Sequence, residues 1–261
     1  MKKKKNYFPA IDGLRLMASI NIVLLHLASS SAFDYAAKWT WLKPIVSGPA
    51  FSAGLFFVLA GFLFASKFSD PDRRIAVLPF VFSRISKLYR LHFICTILMF
   101  AAIAVKIGGI DKMEHPIRSL LLHLSLLWSL VPDLGMKLNE PSWALTGFFI
   151  CYALTPWTTK KLFKIESVKV LWFLFFLVFV PGVIQGWIFG SHDFLNDADY
   201  ARRFRFFHMF PVIHICEYFF GMIIFRLYQK KQFVFLEKNY VAGFCQLFLF
   251  VALYIVCYLS Q

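Results

Sequence analysis

The sequence predicts an all-α, polytopic integral membrane protein, a helical bundle of about seven to eight transmembrane segments. Hydrophobic residues make up 59% of the 261 and charged residues only 16%, far from the roughly half-apolar, quarter-charged usage of soluble domains. The apolar residues come in runs near the length of about 20 that a spanning helix needs. The basic residues fall in short clusters between those runs, as they do in the inner loops of membrane proteins.

The first run, 11 to 30, contains IDGLRLMASINIVLLHL and carries Asp12, Arg15, Asn21 and His26. Lys2 to Lys5, the apolar run and LASSSAF together imitate a signal peptide, but those polar residues spoil the apolar core such a peptide needs. The run is expected to be an uncleaved first span. Six further candidates lie near 50 to 66, 91 to 110, 141 to 157, 168 to 190, 207 to 228 and 240 to 259. An eighth stretch, SLLLHLSLLWSLV at 119 to 131, is short enough to be re-entrant or interfacial.

Charge parity bears on that stretch. If it does not cross and the N-terminus is cytoplasmic, the inner segments hold 19 Lys and Arg and the outer ones 9. If it crosses, later loops change sides and the split becomes 15 to 13. The positive-inside bias favours the non-crossing arrangement. No internal repeat, low-complexity segment or soluble domain interrupts the chain, so residues 1–261 are expected to form a single membrane domain.

The formal charge of +14 does not point to nucleic acid, because the basic clusters sit where membrane loops carry them. The five cysteines, Cys95, Cys151, Cys216, Cys245 and Cys257, lie in apolar runs without a CxxC and are expected to be packing residues. His92, His115, His123, His192 and His208 have no ligand-like spacing, so no metal site is expected. Trp39 and Trp41 could stack on a sugar, but interfacial belts are the commoner use of Trp.

A charged side chain at mid-bilayer costs about 2.5 to 3.5 kcal/mol even on the lenient insertion scale, so such residues usually mark an ion or substrate path. Arg15 and His26 are eleven residues apart, about three helical turns and roughly 16 Å of rise. They share one face without touching. Asp12, one turn from Arg15, is expected to pair with it. Such a helix offers an anion-binding group near the membrane edge and a titratable imidazole deeper in; the plainer reading is a snorkelling Arg15 and a hydrogen-bonded core His26. RISKLYRLH repeats cations every three residues as Arg84, Lys87 and Arg90, a clamp for phosphates or an anchor on anionic lipid. FPVIHICEYFFGMIIF places His214 and Glu217 one turn apart, and Glu217 would pair with an Arg of the core, act on a proton or make an interfacial hydrogen bond.

Five stretches in order resemble one family, the membrane acyltransferase 3 group. YFPAIDGLRLMASINIVLLHL is similar to its first helix, LFFVLAGFLFA at 55 to 65 to its FFVLSGF helix, and RISKLYRLHFI to its basic RxxR segment. PSWALTGFFICYALTP is similar to its W-S-L-S-x-E helix and FPVIHICEYFFGMII to its R-L-x-E-F-x-x-G-M helix. The chain departs from the pattern at Ala60 for Ser, Lys87 for the second Arg, Arg90 for Pro, His214 for Arg and Phe148 for the Glu of the fourth of these motifs. The family usually has about ten spans, so the chain is expected to lack its last helices.

The resemblance implies an inner-membrane, multi-pass O-acyltransferase with a cytoplasmic N-terminus. It would move an acyl group, expected to be acetyl, from cytoplasmic acyl-CoA to a hydroxyl of a cell-surface carbohydrate or lipid-linked glycan. Acyl-CoA is then a co-substrate, with no permanently bound cofactor, no metal and no nucleic acid partner. Arg15, Asp12, Arg84, Lys87, Arg90 and Glu217 become the substrate-binding candidates and His26 the catalytic one. Two other classes remain open: a non-catalytic carrier or channel component, and an inactive truncated member. A transporter would often carry inverted repeats or broken helix pairs, and neither is seen in the sequence.

Overall fold

The computed structural model describes residues 8–28, 50–70, 76–131, 138–190 and 209–234. Among these residues every regular element is helical: α1 Pro9–Ala28, α2 Ala50–Lys67, α3 Val77–Ile107, α4 Pro116–Leu124, α5 Trp143–Leu162, α6 Val168–Gly190 and α7 Pro211–Gln229, with 3-10 turns at Ile110–Lys112, Trp128–Leu130 and Glu140–Ser142. The expected run 240 to 259, Trp39, Trp41, Cys245, Cys257, His192, His208 and Lys2 to Lys5 lie outside the described residues.

The helix ends follow local chemistry. Pro9, Pro116 and Pro211 each open a helix, where the missing N–H costs nothing and φ is preset. α3 ends in a Schellman turn: Gly108 sits at φ 83° and its N–H donates to Val105, while that of Gly109 donates to Ala104, a conformation open to glycine without a Cβ penalty. Pro156 interrupts the ladder of α5, and Thr155, Thr158 and Thr159 turn their hydroxyls onto carbonyls of that helix at 2.7 to 2.9 Å. Such back-bonding is how an apolar helix keeps its polar groups satisfied around a proline.

By length and composition one described helix, α3, is long and apolar enough to cross a membrane; Ser52–Lys67 and Val168–Ile184 are apolar but shorter. α3 begins at Val77, well before the expected 91, and takes the basic stretch 84 to 90 into the same helix. The stretch 119 to 131 forms the nine-residue α4 and a 3-10 turn, and nine residues rise only about 14 Å, half a bilayer core. Large apolar side chains line the outside as well as the core, where Phe57, Leu171, Met222 and Phe225 are buried. Leu91, Leu98, Val105, Phe173 and Phe176 are exposed, whereas His92, Thr96, Ser119, His123, Thr146, Thr155 and Thr159 are buried. That is the pattern expected of apolar solvent outside and polar pairing inside.

The chain divides into two compact units: Met1–Ser69, Leu162–Val180 and Glu217–Gln261 form the first, and Asp70–Lys161 and Pro181–Cys216 the second. In the first unit α1 packs against α2. Helices α2 and α7 run parallel, Gly54 meeting Glu217, Val58 meeting Gly221 and Phe62 meeting Phe225, so that partners advance together by one turn. Phe8 and Phe62 join Phe225 and Tyr228 in an aromatic cluster, and Phe163 packs on Phe225. The start of α1 and the ends of α2, α5 and α7 therefore gather at one end of this unit. These are the segments that the charge parity places on one side.

The same end is tied by Arg226. Its Nη2 donates to the carbonyls of Phe163 and Ile165, each at 3.1 Å, and to Glu166 Oε1 at 3.0 Å, a cation on carbonyls just past the C-terminus of α5. Lys230 pairs with the other oxygen of Glu166. The Lys230 ammonium, and more weakly Arg226, hold this exposed carboxyl below the usual carboxylate range. The lowered folded pKa means that the clamp adds stability above the ordinary carboxylate pKa and loses it as pH falls through the folded one. Glu166→Gln is accordingly expected to lower the melting temperature of detergent-solubilised protein slightly at neutral pH and not at all in strong acid or high salt. An equal deficit at every pH would rule the ion pair out as its source.

Candidate functional site

The sequence-derived candidates divide between the units. Asp12, Arg15, His26 and Glu217 belong to the first, and Arg84, Lys87 and Arg90 to the second. On α1 the packed stripe is Ile11, Ala18 and Ile22, with Ile11 and Ala18 fully buried. At 100° per residue Arg15 and His26 flank the same edge of that stripe, about 20° apart in azimuth and about 16 Å apart in rise. Both are exposed. The expected Asp12–Arg15 pair is not formed: both side chains are exposed, and in solvent such a pair gains too little to hold two side chains in one geometry.

Glu217 is half-buried on α7 and faces α2 at Gly54. His214, one turn earlier, is buried against Trp143, with ring centroids 4.6 Å apart. The His that replaces the family's Arg is thus packed on the Trp of the W-S-L-S-x-E-like helix within the second unit. On α3, Lys87 and Arg90 are exposed, while Arg84 is half-buried with its guanidinium carbon 5.7 Å from the centre of the Phe80 ring. The three cations follow a helical surface, as their spacing predicts.

Phe148 stands where the family's Glu is expected, and its surroundings suit a phenyl ring. It stacks on Tyr152 at 5.7 Å and lines a shallow recess with Ile85, Leu88, Tyr89, Leu126 and Leu145. The Tyr89 hydroxyl is already donated to the Leu124 carbonyl at 2.9 Å. A carboxylate here would lose hydration among apolar walls, so the departure is matched by its neighbours.

A polar network in the second unit escaped the sequence reading. His123 Nδ1 lies 2.8 Å from the Ser119 carbonyl and so carries the proton, while its Nε2 accepts the Leu138 N–H at 3.3 Å. His92 Nε2 donates to the His123 carbonyl at 2.9 Å, and its Nδ1 is 3.4 Å from both Thr96 Oγ1 and Asn139 Nδ2. These tautomers are assigned from the hydrogen bonds. Trp128 stacks on the His123 ring at 4.7 Å and donates to Ser142, which donates to the Asn139 carbonyl. The network ties α4 and the turn before α5 to α3. Both imidazoles have their ring nitrogens committed, which makes them scaffold and not reactive groups. The available signal was two polar pairs at i, i+4, His92 with Thr96 and Ser119 with His123, each on one face of an otherwise apolar helix.

Among the described residues no group of three or more His, Cys, Asp or Glu could hold a metal ion. Comparison with known proteins gives one family and one curated relative. The sequence model of the acyltransferase domain family, the acyltransferase 3 group, matches residues 8–261. The chain is similar to the acyltransferase MdmB of Streptomyces mycarofaciens, 28% identical over 168 residues that cover 63% of this chain and 42% of that protein. The chain thus spans less than half the length of this relative. No solved structure matches.

Proposed function

Because the chain belongs to the acyltransferase domain family, whose model spans residues 8–261, we propose that it is an inner-membrane O-acyltransferase using cytoplasmic acyl-CoA, acetyl-CoA above all. The acceptor is a hydroxyl of a cell-surface carbohydrate or lipid-linked glycan. The observation that carries the reading is the shared edge of α1, with an exposed Arg15 and an exposed His26 about 16 Å apart. That separation suits an extended donor with a charged head and a reactive thioester. The cytoplasmic N-terminus follows from the 19 to 9 charge split.

In this reading the His26 imidazole takes the proton of the acceptor hydroxyl. The oxygen attacks the thioester carbonyl, the C–O bond forms as the C–S bond breaks, and the imidazolium returns the proton to the CoA sulfur. Arg15 holds phosphate from the first unit. Within the second unit, taken by itself, Arg84, Lys87 and Arg90 are also candidate phosphate ligands, guanidinium forks matching phosphate oxygens while Lys87 acts as a point charge.

These three cations are tested by themselves. Arg84→Ala, Lys87→Ala and Arg90→Ala are each expected to weaken CoA binding to purified protein about tenfold or more, as loss of one charge-assisted contact does, with the remaining affinity falling as salt rises. Unchanged CoA affinity together with altered membrane insertion would make these cations a lipid anchor.

A further inference from the structure

Glu217 is a carboxylate on an apolar helix, and a glycine sets its place. A Cβ on Gly54 would lie 2.8 Å from Glu217 Cδ and 3.1 Å from Oε2, with Oε1 nearer still. The absent side chain is what leaves the carboxylate its seat against α2.

The height of that seat follows from the aromatic floor of the first unit. Phe8 touches Phe62 at 5.1 Å, Phe225 at 6.5 Å and Tyr228 at 6.1 Å between ring centroids. From there α1 packs back along α2, opposite in direction to α2 and α7. Arg15 stands seven residues beyond Phe8 and Glu217 eight residues before Phe225, heights of about 10 and 12 Å above the floor. The azimuths agree as well. Seven residues bring Arg15 to within about 20° of the face of Phe8, and eleven bring Glu217 to within about 20° of the face of Tyr228. Phe8 and Tyr228 are in contact, so by helical count Arg15 and Glu217 stand at similar heights on the sides of α1 and α7 from which those two rings project. His26 lies about 16 Å further along α1.

We propose that Glu217, seated by Gly54, is a positioning residue for Arg15. Its charge draws the exposed guanidinium toward α7 and holds it there, so the anionic end of the donor meets an oriented cation. A guanidinium has five N–H donors in a planar fork, enough to keep a carboxylate on one edge and a phosphate on the other. This rests on the acyl-CoA reading above, and it assigns Glu217 to the donor's charged end and not to the proton transfers at His26.

The test is CoA binding to the purified full chain in detergent, with a double-mutant cycle. Glu217→Gln, which keeps shape and removes charge, is expected to weaken CoA binding about tenfold, and Glu217→Asp by less. Arg15→Ala is expected to cost less in the Glu217→Gln background than in the unmodified protein, making the two losses less than additive. A residue that only packs would give additive losses and a lowered melting temperature. Gly54→Ala displaces the carboxylate without touching a charge and is expected to reproduce the Glu217→Gln loss; if it does not fold, the cycle at Glu217 still decides. Unchanged or tighter CoA binding in Glu217→Gln, or strict additivity, overturns the inference while leaving the acyl-CoA reading standing. Absence of CoA binding to the unmodified protein overturns that reading itself.

Discussion

His26→Ala is expected to abolish acyl transfer while leaving CoA binding nearly intact. The reason lies in the separation along α1. A group about 16 Å from Arg15 is too far to share a phosphate with it, so its removal deletes a proton acceptor and spares the donor's charged end. Loss of a general base costs about 10²- to 10⁴-fold in rate, which in an assay with radiolabelled acetyl-CoA and a candidate glycan acceptor reads as background. Arg15→Ala is expected to behave in the opposite way, chiefly weakening donor binding, and Arg15→Lys to restore it only in part, because an ammonium lacks the planar fork. The two variants thus separate binding from chemistry. A fully active His26→Ala protein would reduce His26 to a packing residue and remove the mechanism.

Gly221→Ala and Gly61→Ala are expected to destabilise the first unit by about 3 kcal/mol or more each, the upper end of the range for overpacking a tight core. A Cβ on Gly221 would fall 3.0 Å from the Phe62 backbone nitrogen and closer still to the Val58 carbonyl oxygen; one on Gly61 would lie 3.2 Å from Met222 N and closer still to the Tyr218 carbonyl. The obstacle is backbone on both sides, so relief requires the two helices to move apart. Apolar solvent gives helices little reason to associate beyond close packing, which is why small residues gather at such crossings. Gly13→Ala is the control. Nothing lies within 4 Å of a Cβ there, so replacing a mid-helix glycine should stabilise by about 0.5 to 1 kcal/mol. Thermal melts in detergent distinguish the three, and a Gly221→Ala protein as stable as Gly13→Ala would deny the close crossing of α2 and α7.

The helices were legible in the sequence because a run of apolar residues is a local property. The expected runs at 11 to 30, 50 to 66, 141 to 157 and 168 to 190 match α1, α2, α5 and α6 to within a few residues, and the five motifs in order identified the family that the comparison then gave. Arg15 and His26 could be placed on one face from the period of a single helix, with no knowledge of any neighbour. What joins residues far apart in the chain was not available that way. Glu217 appeared as an intramembrane carboxylate with three possible roles; only the parallel register of α2 and α7 brings it to Gly54 and to the height of Arg15. His92 and His123 looked like scattered histidines until folding placed one ring nitrogen on the other residue's carbonyl. The sequence by itself determined the helices and their apolar faces, which depend on composition and on the 3.6-residue period, and the family, which the five ordered motifs carried. The tertiary structure alone decided which polar groups are satisfied as scaffold and which face one another, because burial and hydrogen bonding between helices depend on register and close approach, and neither leaves a periodic mark on the chain.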